Sequence, residues 1–163
     1  MNEGKRFERD FKASVPRDVY CLRIRDSASF VDFNNGVPET DLRFSTRSPY
    51  DFVLCRRGQM YAIEAKSHTG KSMSFAGSNP VIKPHQVEEL MKARSGGAVA
   101  GLVLEYRDLR ETYFITIYQF WMWMNGTEKK SINVADARKI GRRIPQKQQR
   151  THMFYDLTPI WKE

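Results

Sequence analysis

The chain has 163 residues, 40% apolar and 28% charged, which suits one domain with a real core and is too little for two comfortable ones. That balance excludes a disordered chain, and the longest apolar stretch, Tyr113 to Met124, is about half of the ~20 residues needed to span a bilayer. The net charge of +8, with a pI near 9.6, favours a polyanionic partner, because Lys and Arg that displace counterions from phosphates gain binding free energy.

The first segment, Asn2 to Val15, is predicted to be a helix. Asn2 can cap it, Glu3 lies in its first turn, and Phe7, Phe11 and Val15 form one apolar stripe that Pro16 ends. The start, Met1 to Arg6, has no apolar h-region, so no secretory signal is expected. Val19 to Arg25 alternates Tyr20, Leu22 and Ile24 against Cys21, Arg23 and Arg25, the pattern of a strand with one polar face. Cys21 and Cys55 show no CxxC or metal-ligand spacing and are expected to be reduced core thiols of a cytosolic protein. Within Ser27 to Arg47, Asn34-Asn35-Gly36 is a hairpin-type turn signal, which suggests a protruding hairpin or arm.

Tyr50 to Arg56 and Gln59 to Lys66 read as two strands joined by the tight turn Arg57-Gly58. Ser67 to Lys83, rich in Gly, Ser and Lys, reads as a mobile loop. Pro84 suits the first position of a helix to Arg94 with Val87, Leu90 and Met91 inward, stopped by Gly96-Gly97. Ala98 to Tyr106 is a nearly continuous apolar run, as expected of a central strand buried on both faces. Glu111 to Ile117 is another predicted strand and Tyr118 to Met124 a short helix. A basic tail, Glu128 to Arg150, follows, and Met153 to Leu157 offers an edge strand. The pattern is that of one α/β domain over residues 1–163.

The chemistry concentrates in Ser48-Pro49-Tyr50-Asp51 and Ile63-Glu64-Ala65-Lys66. Alternation puts Glu64 and Lys66 on one face of their strand with Ala65 turned into the core. The short hairpin turn brings Asp51, at the start of one strand, beside the end of the next. Converging carboxylates suit Mg²⁺, whose remaining octahedral positions go to waters and substrate phosphate. Lys66 would hold or deprotonate an attacking water. A Glu and a Lys two apart on a strand are also a common solvated pair. Glu8, next to Phe7 on the first helix, can reach this edge of the core, or simply pair with Lys12. Gln86, next to Val87, can bring an amide to the same place, or face solvent.

His68, Lys71, Ser72 and Ser74 after Lys66, and Arg142, Arg143 and Lys147 in the basic tail, are candidate DNA contacts. His68 has no second ligand at zinc spacing. GxxxxGK[ST], GxGxxG and GxSxG are absent, and His68, His85 and His152 lack the partners of a nucleophilic triad. Phe120, Trp121 and Trp123 could stack bases, but their spacing suits core packing better.

These stretches resemble the RecU family of Holliday junction resolvases, a branch of the PD-(D/E)XK nuclease superfamily. The matching residues are Gly4-Lys5-Arg6-Phe7-Glu8 with Phe11, Tyr50-Asp51, Ile63-Glu64-Ala65-Lys66, Lys71-Ser72-Met73-Ser74-Phe75, His85-Gln86, Leu90-Met91-Lys92, Tyr113-Phe114, Phe120-Trp121 and Lys129-Lys130-Ser131-Ile132. The resemblance implies a restriction-endonuclease-like core, a mixed β-sheet flanked by helices, with residues 26–46 as a stalk that enters the junction. It further implies a homodimer acting on branched DNA, with paired nicks leaving 5′-phosphate and 3′-hydroxyl ends. By position, Asp51 and Glu64 would hold Mg²⁺ (Mn²⁺ substituting), Lys66 would serve the water, and Glu8 and Gln86 would assist. A cytoplasmic, nucleoid-associated protein of a bacterium or phage is implied, with recombinase or branch-migration proteins as further partners and no membrane. The chain departs from the family in its short N-terminal part and shorter stalk candidate, both of which bear on junction fit and sequence preference. Two other readings remain, a catalytically idle DNA-binding accessory module and a restriction- or repair-type nuclease on the same fold. An RNA-binding module lacks any signature here.

Overall fold

Phe7 and Phe11 are fully buried, and the helix that carries them, α1 (Glu3–Ser14), starts where the Asn2 side chain accepts the Lys5 N–H at 2.8 Å. It stops at Val15, extended ahead of Pro16, since the residue before proline avoids the helical region. The computed structural model describes residues 2–24 and 47–162, so the stalk candidate, 26–46, lies outside the described residues. Strand β1 (Tyr20–Arg23) is followed by the hairpin β2 (Phe52–Arg56) and β3 (Gln59–His68). Its turn places both Arg57 (φ 50°) and Gly58 (φ 80°) in the left-handed region, as a two-residue hairpin turn of matching twist requires.

Next come β4 (Ser72–Ser74), α2 (Pro84–Ser95), β5 (Val99–Tyr106), β6 (Glu111–Thr116), α3 (Ile117–Asn125), β7 (Ser131–Asn133) and α4 (Val134–Ile140). The chain closes with β8 (Arg142–Ile144), β9 (Gln146–Gln148), β10 (Met153–Tyr155) and α5 (Thr158–Trp161). Six strands form one mixed sheet in the order β1-β2-β3-β5-β6-β8, with β3 and β5 parallel and the other neighbours antiparallel. Helices cover both faces. Val87, Leu90, Phe120 and Ala137 from α2, α3 and α4 pack on one, and Phe7, Phe11 and Ile160 from α1 and α5 on the other. β5 lies in the middle, sending Leu102 and Leu104 to the first core and Val103 to the second, as its unbroken apolar run predicts.

Gly101 of β5 has a steric reason to be glycine. A Cβ there would sit 2.5 Å from both the Ile115 carbonyl oxygen and Phe114 Cε2, and the carbonyl belongs to a paired strand that cannot move aside. Gly101→Ala is therefore expected to cost about 1–3 kcal/mol, a fall in Tm of roughly 2–4 °C per kcal/mol at this size. Thermal unfolding checks it; an unchanged Tm would mean that β6 gives way freely.

Three local expectations are corrected. Residues 67–83 are not a loop throughout. β4 pairs with β7, and Met73 and Ile82 are fully buried. The serines that suggested solvent are satisfied internally, Ser72 Oγ donating to Ser131 Oγ at 2.8 Å and Ser74 Oγ accepting the Val81 N–H at 3.0 Å. Residues 153–157 give β10, which pairs with β9 in a separate two-stranded sheet rather than extending the main one. Cys55 is exposed and Cys21 only half-buried, both as free thiols rather than core ones. The apolar side of β1 is likewise exposed, with Tyr20 at 64% and Leu22 at 48%, because among the described residues no helix covers this edge of the sheet.

Candidate active site

Register assembles the site. Phe52 pairs with Ile63, and Asp51, the next residue outward and just beyond the regular pairing, comes beside Glu64, close enough for the two carboxyls to act on each other. Asp51 is tied into the sheet edge: its N–H donates to the Ile63 carbonyl at 3.1 Å and its carbonyl accepts the Ile24 N–H at 2.8 Å. Its Oδ2 accepts the Ala65 N–H at 2.8 Å. Glu64 is buried, and two donors converge on its Oε1, Lys66 Nζ at 2.8 Å and Gln86 Nε2 at 2.6 Å. The Gln86 amide is oriented by its other end, since Oε1 accepts the Lys83 N–H at 3.0 Å in the first turn of α2. The structure thus gathers Asp51, Glu64, Lys66 and Gln86 at one end of β3.

Both carboxyls are held above the ordinary range. For Asp51 the cause is first desolvation, then the charges of Glu64 and Glu8, with the Ala65 N–H and Lys66 pulling the other way. Desolvation also leads for Glu64, opposed by Lys66 and reinforced by Glu8. Two enclosed carboxylates that resist joint ionisation fit a hard divalent cation, which would neutralise both. Among the described residues no cluster of three or more His, Cys, Asp or Glu side chains is poised for a metal. A two-carboxylate site is what Mg²⁺ accepts, because it keeps several waters and takes substrate phosphate for the rest.

The sign of the pH effect follows. With raised carboxyl pKa values, the folded chain retains protons that the unfolded chain has released, so this pair lowers stability as pH climbs above about 4. In EDTA the Tm of Asp51→Asn minus that of the parent is expected to grow between pH 5 and pH 8. A difference that stays constant over that range would contradict the raised pair.

Glu8 faces the same end of the sheet from α1, close enough to act on both carboxyls, and pairs with Arg23 rather than Lys12. On the α2 side, Arg47, Lys83 and Lys66 hold the His85 pKa down, second to desolvation, so a cationic rim borders the carboxylates. His68 ends β3, opposite Tyr106 of β5, and Lys71 is exposed just beyond. The tail cations are not brought to the carboxylates. Arg142 and Arg143 lie on β8, three strands from β3, about 14 Å at ordinary strand spacing, and Lys147 is on β9. Arg142 Nη1 donates to the carbonyls of Pro159 (3.1 Å) and Lys162 (2.5 Å). Arg138 and Lys129 are engaged by Glu111 and Asp136. Of the aromatic trio, Phe120 is buried and Trp123 packs on Phe75, while Trp121 is 39% exposed.

Sequence reading passed over a buried polar network. Glu105, in the middle of the apolar run, accepts from Arg6 Nη2 at 2.7 Å, Ser67 Oγ at 2.5 Å and Tyr155 OH at 2.5 Å. Asp10 joins through Arg6 at 3.3 Å and the Met153 N–H at 3.1 Å. A carboxylate inside an otherwise apolar strand was the available signal, since such a group needs partners.

Residues 27–158 match the family model described as Recombination protein U. Across 99% of the chain and 86% of the relative, the sequence is 26% identical to the SPbeta prophage-derived uncharacterized protein YotM of Bacillus subtilis. It is 32% identical to the Holliday junction resolvase RecU of Staphylococcus aureus over 65% of the chain, and 28% identical to that of Listeria welshimeri over 63%. These matches span about half the length of the curated resolvases, 51% in each case. Among solved structures, Hjc of Archaeoglobus fulgidus, a Holliday junction resolvase, superposes with a TM-score of 0.51 at 23% identity, covering 86% of this chain and 95% of that one. At that identity the likeness speaks for the fold, a mixed sheet flanked by helices.

Proposed function

This chain belongs to the Recombination protein U family, and on that footing we propose that it is a metal-dependent endonuclease that resolves four-way DNA junctions. The observation that carries the reading is the convergence of Asp51, Glu64, Lys66 and Gln86 at one end of β3. We read residues 1–163 as one nuclease domain.

In this reading Asp51 and Glu64 hold Mg²⁺, with Mn²⁺ able to substitute because it takes the same oxygen ligands. The bound cation supplies Lewis-acid polarisation of the scissile phosphate and lowers the pKa of an attacking water. Lys66 aims Nζ at that water or at the charge gathering on phosphorus. Gln86 and the Ala65 N–H fix the two carboxylates. Glu8, turned toward Arg23, adjusts charge at the rim. The water oxygen bonds to phosphorus, the P–O3′ bond breaks, and the water's proton leaves as the 3′ oxygen gains one, giving 5′-phosphate and 3′-hydroxyl ends. His68, Lys71, Ser72 and Ser74 lie along the approach of the DNA.

Two opposed nicks call for two sites, hence a homodimer. Support comes from the row Tyr20, Cys55 and Met60, paired across β1, β2 and β3 and all exposed, with Leu22 beside it. This apolar face is the same sheet face that carries Glu64, so a second copy seated there would bring two sites near one another. Among the described residues no helix is long and apolar enough to cross a membrane, and the substrate puts the enzyme at the nucleoid, within reach of recombination proteins.

Cleavage of an immobile four-way junction beside a linear duplex of the same sequence, in Mg²⁺ and in EDTA, tests the reading. Mg²⁺-dependent paired nicks in the junction alone are expected. Cutting of both substrates would indicate a general nuclease. Junction binding with no cutting would make the protein an accessory module.

A further inference from the structure

At the other end of the β2–β3 hairpin lies a cavity of about 460 Å³ whose lining includes Arg56, Arg57, Gln59, Trp161 and Lys162 and, among the described residues, no carboxylate. Arg56 lies over the Trp161 ring at 5.6 Å from its centroid, and Trp161 is braced edge-on against Tyr61 at 4.9 Å. The stack holds the guanidinium in one place. Its Nε is buried and has no hydrogen-bond acceptor among the described residues, a costly condition for a charged donor. Arg57, exposed at the turn, and Lys162, the residue after α5, line the same cavity. None of the three cations has an ion-pair partner among the described residues. Three like charges around a concave, part-aromatic surface repel one another until an anion joins them.

Shape and chemistry select the anion. Guanidinium forks match tetrahedral oxyanions, and Arg and Lys together are the usual phosphate contacts. The scissile phosphate is excluded by position, because Asp51 and Arg56 are five residues apart along an extended strand, about 17 Å. We infer that the cavity formed by Arg56, Arg57, Trp161 and Lys162 is a second phosphate site, which takes a phosphate oxyanion remote from the one being cut. The oxyanion belongs to a backbone phosphodiester of a DNA arm or to a free phosphate. The DNA source rests on the function proposed above, whereas the site itself does not.

Two titrations of the full chain decide it. Trp161 fluorescence, isolated by difference from Trp161→Phe, is followed against inorganic phosphate at constant ionic strength. Junction affinity is then measured in EDTA over a range of salt. The variants are Arg56→Gln and the double variant Arg57→Asn with Lys162→Gln. The second keeps the Arg56–Trp161 stack and suits the backbone at position 57, so it separates charge from folding.

A saturable phosphate response, weakened about tenfold or more in both variants, is expected. If the phosphate comes from DNA, the slope of log K against log salt falls by about 0.9 in the variants. An unchanged slope with the phosphate response lost assigns the site to a free phosphate. No saturable response in the parent and no change of slope overturns the site. A protein that cuts no junction yet shows the phosphate response would remove the resolvase reading and leave this site standing.

Discussion

Asp51→Asn is expected to abolish junction cleavage, by at least ~10²–10³-fold, while junction binding holds or tightens. Asparagine keeps the shape, and its Oδ1 still accepts the Ala65 N–H that the aspartate accepts at 2.8 Å, so the hairpin edge stays in place. What goes is half of the charge that would hold a divalent cation beside Glu64. The same loss removes one negative group from the surface a phosphate must approach, which favours binding. The carboxyl is already strained by burial and by Glu64, so folding does not suffer. Single-turnover cleavage and EDTA-phase binding on one labelled junction read both quantities. A variant that cuts at the parent rate would remove Asp51 from the chemistry.

The second large effect is on stability. Glu105→Ala is expected to cost about 3–5 kcal/mol, a Tm fall of roughly 6–20 °C at 2–4 °C per kcal/mol. Glu105 is 2% exposed and joins three elements: Arg6 of α1, Ser67 of β3 and Tyr155 of β10. Burial tends to lower the Arg6 pKa, yet bonds to Tyr155, Glu105 and Glu3 hold it above its ordinary value. Tyr155 is likewise held high, by burial first and then by Glu105. Removing Glu105 leaves the Arg6 guanidinium only Glu3 and Asp10 as ion-pair partners among the described residues and takes the acceptor from the Ser67 and Tyr155 hydroxyls. Glu105→Gln should fall between parent and alanine, since it keeps acceptors but not charge. Replacing Arg6 and Glu105 together by Met and Leu should recover part of the loss, because it removes the charge that has lost its most buried partner. A Glu105→Ala protein that melts within 2 °C of the parent, a margin of about 1 kcal/mol, would show that the network holds little.

That network also sets the limit on what could be read in advance. α1 was legible from Asn2, the Phe7–Phe11 spacing and Pro16 because each acts within a few residues. The β2–β3 hairpin followed from Arg57-Gly58 for the same reason, and alternation alone put Glu64 and Lys66 on one face. Ser72 and Ser74 misled because composition registers polarity and not its partner, which for Ser72 is a serine 59 residues away and for Ser74 the Val81 N–H. The surroundings of the basic tail were out of reach for the same reason. Its charge is plain in the sequence, but the binding of Arg138 by Glu111 and of Arg142 by backbone carbonyls depends on where α4, β6 and α5 come to rest.

By itself, then, the sequence determined the local periods, the turn, the central strand and the carboxylate–lysine spacing, since these depend on side chains a few bonds apart. Only the tertiary structure decided that Gln86 braces Glu64, that Glu105 is answered by Arg6 and Tyr155, and that three cations are left facing one cavity. Each of those depends on groups brought together from distant parts of the chain, and no local pattern encodes which of many possible partners a buried polar atom will meet.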